Sequence, residues 1–455
     1  MQAYTIPSIT NTLYPFLIVD TSNTIPPKCI SQSLSFFLQD LKDKIHIHEK
    51  EWDNFKKYTN TYEYIHTNNP YKKRSVSKYK PLSRSYFKMI ELIHEFRLIP
   101  CILPYDDTSS PEHSNHEVVE MAKIPPQPSN RNIPEIPPGL SVGALFKDIP
   151  PYFPIRTFHL AEGPGGFIEA VVNLRKNPYD TYIGMTIQDN KNDGTIPTWK
   201  KSDHFLTSNP NIQIENGADG TGDILSIENF GYCYDTYRST MNFITADGGF
   251  DFSTDFNNQE LQIVELLFAQ IAFALVMQKP GGNFVLKIFD CFYNSTIDLL
   301  ALLSSFYKTV YITKPQTSRS GNSEKYVVCK YFTNEHSAKD FYPYLHKAFL
   351  RNPSTRHPHS QLDQQTHIDP LVPTYICRYL NMPIPIYFHL KLEEYNSGFG
   401  VHQIENIHNT LTMISRNTKP ERIDSLIQKN IGKCIEWCIR YNIPYNTFFY
   451  TNTFM

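Results

Sequence analysis

Between residues 155 and 335, short apolar runs alternate with longer stretches whose apolar residues recur at helical spacing. The short runs predict strands at "IRTFHLA", "TYIGMTI", "NFITADGGF", "NFVLKIF", "TVYITKP" and "KYVVCKYF". The longer stretches predict helices at "GGFIEAVVNL", "NQELQIVELLFAQIAFALVM" and "STIDLLALLSSF". Strands that alternate with helices are typical of a doubly wound sheet, so we expect an α/β fold for this region.

The sequence on either side of this region has other patterns. Helices are predicted around residues 31–50 and at "SYFKMIELIHEF", and two more at "QIENIHNTLTMI" and "RIDSLIQKNIGKCIEWCIRYN". The stretch "IPPQPSNRNIPEIPPG" is rich in Pro and Asn, which indicates an irregular connection. These patterns divide the chain into a mixed or helical extension (1–68), a basic segment with a helix (69–103), a proline-rich connection (104–154), the α/β core (155–335) and a mostly helical region (336–455).

Charge is nearly balanced over the 455 residues, with a formal net charge of −2. A uniformly basic coat for nucleic acid is therefore excluded, and any RNA footprint must be a local patch. The stretch "NPYKKRSVSKYKPLSRSYFK", residues 69–88, is rich in Lys and Arg, contains Tyr71 and Tyr79 for stacking on bases, and has no acid. An exposed loop without a ligand is the alternative. The predicted RNA contacts are Lys72, Lys73, Arg74, Lys78, Lys80, Arg84 and, on a later loop, Arg319.

The eight cysteines are scattered and include no Cys-x-x-Cys pair, which favours a reducing compartment over a disulfide framework. Cys434 and Cys438 lie one helical turn apart without further metal ligands nearby, so we expect them to pack in a helix. The N-terminus lacks the pattern of a signal peptide, and the apolar run 264–277 is too short to span a bilayer. We expect a soluble intracellular protein, in the cytoplasm or the nucleus.

A glycine-rich turn, "HLAEGPGGFIEA" at residues 159–170, follows the first predicted strand and opens a helix. It contains neither the lysine of an ATP-type phosphate loop nor the glycine spacing of a dinucleotide-binding turn. Ligands of α/β sheets bind at the carboxyl ends of the strands, where this turn lies. By itself the turn leaves a nucleotide site and a purely structural turn equally open.

Four charged residues stand in positions that need an explanation. Asp247 ends a predicted strand, Lys287 lies inside an apolar one, and Glu324 directly precedes the last. Lys88 lies early in the helix "SYFKMIELIHEF". Because an unpaired buried ammonium group is costly, Lys287 in particular requires a partner or a function.

With these four residues in order, the chain resembles the FtsJ-like (RrmJ-type) ribose 2′-O-methyltransferases, whose mark is a Lys–Asp–Lys–Glu tetrad. The resemblance covers residues 80–332 and is strongest to the cap-specific mRNA enzymes of eukaryotes and large DNA viruses, through "AEGPGGF", "GMTI", "GTGDI", "ADGGF", "PGGNFVLKIFD" and "KPQTSRSGNSEKYVVCK". It implies a Rossmann-like sheet that is mostly parallel with an antiparallel last strand, S-adenosylmethionine as cofactor and no metal. One departure is His159, which stands where the family usually has an acid, and Glu162 is the candidate to replace that acid.

The resemblance also implies roles for individual residues. Lys287 would act as general base or stabilise the developing alkoxide, beside the cation Lys88 and the orienting carboxylates Asp247 and Glu324. The cofactor contacts implied are Glu162, Gly163, Pro164, Gly165, Gly166, Phe167, Asp223 and Asp247. The expected substrate is RNA, most specifically the first transcribed nucleotides of capped mRNA, with proteins of the capping or transcription machinery as candidate partners. The alternatives are methylation of ribosomal or transfer RNA and a catalytically silent RNA-binding subunit.

Overall fold

The computed structural model describes residues 1–25, 27–100, 153–188, 199–249, 258–333, 335–353, 374–416 and 418–447. Within them the strands are β1 (Gln2–Ile6), β2 (Leu17–Ser22), β3 (Arg156–Leu160), β4 (Thr181–Met185), β5 (Ile212–Glu215), β6 (Met241–Ala246), β7 (Gln278–Ile288), β8 (Tyr307–Lys314), β9 (Lys325–Phe332) and β10 (Tyr375–Leu380). The α-helices are α1 (Gln32–Ile47), α2 (Glu49–Thr59), α3 (Ser85–Phe96), α4 (Gly166–Arg175), α5 (Asp203–Ser208), α6 (Ile227–Tyr237), α7 (Gln259–Met277), α8 (Asn294–Phe306), α9 (Ala338–Arg351), α10 (Ile386–Ser415) and α11 (Pro420–Arg440). Apart from its last two residues, the proline-rich connection predicted for 104–154 lies outside the described residues.

Eight strands form one sheet in the order β1-β8-β9-β7-β6-β3-β4-β5. The neighbours from β5 to β7 pair in parallel, whereas β9 runs antiparallel between β7 and β8. The predicted fold class, a mostly parallel Rossmann-like sheet whose last core strand is antiparallel, is confirmed. Because β3 lies between β4 and β6, the strand order reverses at β3, and ligands of such sheets bind in the crevice at the carboxyl ends there. The glycine-rich turn after β3 and Asp247 after β6 lie at this crevice.

Helices cover both faces of the sheet. The apolar sides of α7, α8, α9 and α10 pack in one core, and those of α3, α4 and α11 pack in the other, which includes the fully buried Cys434 and Cys438. Helix α7 is long and apolar enough to cross a membrane by length and composition, but most of it is buried inside the protein. It is the central helix of the first core, which explains why its sequence is apolar on all sides.

Four strands, β1, β2, β5 and β10, were not predicted from the sequence. Strand β1 extends the sheet by pairing antiparallel with β8, from Gln2 opposite Lys314 to Ile6 opposite Val310. Strand β10 pairs with β2 in a separate two-stranded sheet, within a region expected to be mostly helical. Its backbone is held by the buried Asp298 carboxylate of α8, which accepts the N–H groups of Tyr379 and Leu380 at 2.9 and 3.1 Å. These contacts are tertiary, so the local pattern does not reveal them.

Candidate active site

The turn after β3 is held by its own acid. Glu162 is buried, and its Oε1 accepts the N–H groups of Phe167 at 2.6 Å and Ile168 at 3.0 Å, at the N-terminus of α4. Its Oε2 is also buried and has no hydrogen-bond partner among the described residues. Burial first, and then the neighbouring Asp247, raise the pKa of Glu162 well above its usual value. An acid of this kind is sensitive to any positive charge that arrives beside it.

The two glycines that open α4 have different structural roles. Gly165 has φ +106°, a conformation that favours glycine. A Cβ on Gly166 would lie 2.1 Å from the hydroxyls of Ser83 and Ser85, so the glycine is needed for the close approach of the segment that begins α3. The turn therefore also positions the helix that carries Lys88.

The residues predicted to contact the cofactor on this turn differ in their exposure to solvent. Gly163 and Pro164 are half-buried, whereas Gly165, Gly166 and Phe167 are buried. The Phe167 ring lies in the core, and its N–H is already donated to Glu162. The surface that the turn offers to a ligand is consequently formed by Gly163 and Pro164.

His159 lies inside β3 and has no exposed surface. Its Nε2 and Nδ1 form hydrogen bonds of 2.8 Å with the hydroxyls of Thr157 and Thr245. Burial lowers the pKa of His159 to about 3, so the ring is neutral at physiological pH. The residue at the position where an acid was expected is thus a satisfied internal side chain.

The four tetrad candidates form two ion pairs at the carboxyl edge of the sheet. Lys88 Nζ lies 2.7 Å from Oε1 and 2.9 Å from Oε2 of Glu324. Lys287 Nζ lies 3.2 Å from Asp247 Oδ1 and donates to the Asp247 backbone carbonyl at 2.6 Å. Antiparallel pairing of β7 and β9 brings the end of one strand beside the start of the other, and the Tyr326 hydroxyl donates to Asp247 Oδ1 at 3.3 Å. All four side chains retain a small exposed area at this edge.

Glu324 interacts electrostatically with the lysines of both ion pairs. Burial acts to raise the pKa of Glu324, but the charges of Lys88, Lys287 and Lys314 outweigh it and hold the pKa well below its usual value. Glu324 is therefore an anion throughout the physiological pH range. Lys314, whose pKa burial and the nearby Lys325 lower to about 7, donates to the Glu324 backbone carbonyl at 2.7 Å.

Asp223 is half-buried in the loop before α6. Its Oδ1 accepts the N–H of Leu225 at 2.8 Å, so one carboxylate oxygen serves its own turn. The preceding Gly222 has φ +67°, and a Cβ there would lie 2.1 Å from the Thr186 carbonyl oxygen. This loop is packed tightly against the segment that follows β4.

The predicted RNA contacts divide into two groups. Lys72, Lys73, Arg74, Lys78 and Lys80 are exposed on a segment whose backbone is anchored, since Val76 is buried and Lys78 N–H donates to the Pro444 carbonyl at 2.8 Å. Arg84 and Arg319 instead lie around one buried carboxylate, that of Glu63, at 3.1 and 2.8 Å. The two tyrosines predicted to stack on bases have hydrogen-bonded hydroxyl groups. The hydroxyl of Tyr79 donates to Glu169 at 2.6 Å, and that of Tyr71 donates to Asp424.

Over residues 153–332 the sequence matches the family of FtsJ-like methyltransferases. This segment is an FtsJ-like methyltransferase domain. The chain is 39% identical over 176 residues to the cap-specific mRNA (nucleoside-2′-O-)-methyltransferase 1 of Mus musculus, covering 37% of this chain and 20% of that protein. It is 42% identical over 115 residues to the protein of the same name from Trypanosoma brucei brucei, covering 25% of this chain and 31% of that one. A solved ribosomal RNA methyltransferase from Plasmodium falciparum aligns with a TM-score of 0.28 and 21% identity, over 39% of this chain and 86% of that chain. The chain thus spans a fifth of the length of the mouse relative.

FtsJ-like methyltransferases use S-adenosylmethionine, and the residues at the crevice fit this cofactor. The cofactor carries a sulfonium and an ammonium group, both cationic. The partly exposed Asp247 carboxylate lies at the crevice, and the neighbouring Glu162 is buried in the turn with its Oε2 unpartnered among the described residues. No group of three or more metal-ligating side chains occurs in the part of the chain that the structure describes.

Proposed function

We propose that this protein is an S-adenosylmethionine-dependent RNA ribose 2′-O-methyltransferase that acts on the first transcribed nucleotides of capped mRNA. The observation that carries this proposal is the pair of lysine–carboxylate contacts, Lys88–Glu324 and Lys287–Asp247, at the carboxyl edge of an FtsJ-like domain. The cap as substrate is supported by the names of the relatives, which are cap-specific mRNA methyltransferases.

Bound S-adenosylmethionine supplies an electrophilic methyl group. Gly163, Pro164 and Asp247 line the place where it would be held, and the carboxylates of Asp247 and Glu162 favour its positive charges. Glu162 acts from behind the turn, because its oxygens are buried. Because its pKa is raised, Glu162 would become ionised when the positive charge of the cofactor arrives beside it, and in that form it would take the role of the acid expected at His159.

Lys287 is the residue that would contact the 2′-hydroxyl of the substrate. An ammonium group has three N–H donors, and Asp247 occupies two of those of Lys287, at 2.6 and 3.2 Å. The third is left for the ribose 2′-oxygen, where it stabilises the negative charge that develops as the oxygen bonds to the methyl group and the hydroxyl proton passes to water. Of the two roles expected for Lys287, this arrangement favours stabilisation of the alkoxide. Lys88, bound to both oxygens of Glu324, adds a second fixed positive charge at the site.

The test is methyl transfer from labelled S-adenosylmethionine to short RNAs with and without a cap. We expect Lys287→Ala to lower the rate by about 10²- to 10⁴-fold, because a charge-stabilising donor is lost. Lys279→Ala is the matched control, since Lys279 is an exposed lysine at the other end of the same strand. Activity that survives Lys287→Ala would remove this residue from the mechanism. Equal methylation of capped and uncapped RNA would overturn the cap assignment and favour ribosomal or transfer RNA.

A silent RNA-binding subunit is the remaining alternative, and it predicts no methyl transfer by the wild-type protein on any RNA. The intact ion pairs favour an enzyme, because each lysine has its carboxylate partner in place. We also propose an intracellular location. In support, the seven cysteines within the described residues are all free, as is typical of proteins in reducing compartments.

A further inference from the structure

The loop 315–324 joins β8 to β9 and ends at Glu324, so its conformation decides where that carboxylate lies. One anchor of the loop is Glu91, a fully buried acid on α3 one turn after Lys88. Its carboxylate accepts the N–H groups of Gln316 at 2.7 Å and Thr317 at 2.8 Å. The helix that carries Lys88 therefore holds the loop that carries the lysine's partner.

A second anchor comes from segment 60–63, which precedes α3 in the chain. The side chain of Glu63 is completely buried, and its Oε1 accepts from Arg319 Nη2 at 2.8 Å while its Oε2 accepts from Arg84 Nη1 at 3.1 Å. Burial opposes ionisation, yet the two arginines outweigh it and lower the pKa of Glu63 to about 2. Asn60, in the same segment, accepts the N–H of Ser320 at 2.9 Å through its side-chain oxygen.

These contacts continue to the tetrad. Arg84 lies one turn before Lys88 and donates through Nη2 to the Thr317 carbonyl at 2.9 Å. The next residue, Ser318, donates its hydroxyl to Glu324 Oε1 at 2.8 Å, the same oxygen that lies 2.7 Å from Lys88. A path of hydrogen bonds, with one covalent step from Thr317 to Ser318, thus runs from the buried acid Glu63 to the catalytic candidate Glu324.

We propose that Glu63 and Glu91 are positioning residues for methyl transfer. They clamp loop 315–324 between segment 60–63 and α3, so that Ser318 and Lys88 meet the same oxygen of Glu324. Arg84 and Arg319 belong to this clamp, because their guanidinium groups form ion pairs with Glu63. The inference rests on the proposed function, since a positioning role needs a reaction to measure. It makes activity depend on Glu63, a residue that precedes both α3 and the FtsJ-like domain in the chain.

The test uses the full chain with Glu63→Gln, which keeps the shape of the side chain and removes its charge. We expect kcat to fall by about 10- to 100-fold, because small displacements of reacting groups have effects of this size, while the Kd for S-adenosylmethionine stays within about twofold. In a Glu324→Gln background, Glu63→Gln should have no additional effect on kcat, since both changes act through the same carboxylate. A merely structural role would give effects that multiply.

The matched control is Asp298→Asn. Asp298 is another buried acid that binds an arginine, Arg378 at 2.8 Å, together with two backbone N–H groups, but it lies on α8 away from the loop. It should lower thermal stability to a similar extent and leave kcat unchanged. A kcat for Glu63→Gln equal to that of Asp298→Asn, or effects that multiply with Glu324→Gln, would overturn the positioning role.

Should Glu63→Gln fail to fold, Ser318→Ala tests the other end of the path by removing one hydroxyl. It should lower kcat and leave cofactor binding unchanged, and an unchanged kcat would count against the path. Wild-type protein without methyl transfer on any RNA would overturn the proposed function, and this inference with it. Active wild type with unaffected clamp variants would overturn the clamp alone.

Discussion

His159 links the stability of the core sheet to pH in a way that can be measured. The ring is fully buried in β3, and both of its nitrogens are hydrogen-bonded at 2.8 Å to threonine hydroxyls. Burial lowers its pKa from 6.5 to about 3, so protonation is much more difficult in the folded chain than in the unfolded one. The stabilisation that follows from a neutral ring is complete above pH 6.5 and is lost as the pH falls towards 3.

The size of the effect follows from these two pKa values. Between them, each pH unit removes about 1.4 kcal/mol from the free energy of unfolding, which amounts to about 2 kcal/mol at pH 5. His159→Gln has no titrating group and retains a partner for one of the two threonines. At pH 7.5 the variant should be less stable by about 1 kcal/mol, the contribution of one neutral hydrogen bond. The wild type loses this advantage as the pH falls, and the two stabilities should become equal at about pH 5.8.

Urea unfolding followed by circular dichroism at pH 7.5, 6.5, 5.8 and 5.0 measures both curves. All other titrating groups are shared, so they cancel in the difference between variant and wild type. A difference that stays constant over this range would refute the assignment of a neutral, buried His159. So would a variant that loses stability faster than the wild type on acidification.

Two other changes have effects that the structure defines. Asp180→Asn breaks a fully buried ion pair with Arg175 at 2.7 Å, and we expect about 3–5 kcal/mol of destabilisation in urea unfolding, whereas a loss below about 1 kcal/mol would contradict the burial of that pair. Gly222→Ala places a Cβ 2.1 Å from the Thr186 carbonyl at φ +67°, while Gly220→Ala at φ +75° meets nothing within 4 Å. Both should lose about 1–2 kcal/mol from the left-handed backbone. Only Gly222→Ala should lose more through the clash, and equal melting temperatures of the two variants would show that the loop relaxes.

The central part of the fold could be predicted because its signals are local. Strands β3, β4 and β6 to β9 are apolar runs bounded by turns, and helices α4, α7 and α8 repeat their apolar residues at helical spacing. Strand β5 is a four-residue segment, "IQIE", without an apolar run, and it was not predicted. Strand β1 has five residues and no local sign of its partner; it forms because β8 offers an edge to pair with. Strand β10 depends in the same way on Asp298, which lies in a distant helix.

The candidate site shows the same division. Asp247, Lys287 and Glu324 could be predicted together because strand ends meet at one edge of a sheet, and their roles stay predictions until methyl transfer is measured. The clamp could not be predicted, since Glu63 and Arg319 are separated by 256 residues and only the fold joins them. The basic composition around Arg84 predicts an RNA contact, and composition does not reveal the buried Glu63 with which Arg84 also forms an ion pair.

The pairing of β1 with β8 also has a consequence for synthesis of the chain. Thr313 donates to the Gln2 carbonyl across 311 residues of sequence, and Lys78 N–H in the basic segment waits for the carbonyl of Pro444. At translation rates of about 5–20 residues per second, the interval between Lys78 and Pro444 is on the order of half a minute. Strand β1 has no partner until β8 has been made, and the basic segment has no anchor at Lys78 until Pro444 has been made. A chain that is still being synthesised would therefore carry its basic segment without this backbone anchor until Pro444 has left the ribosome.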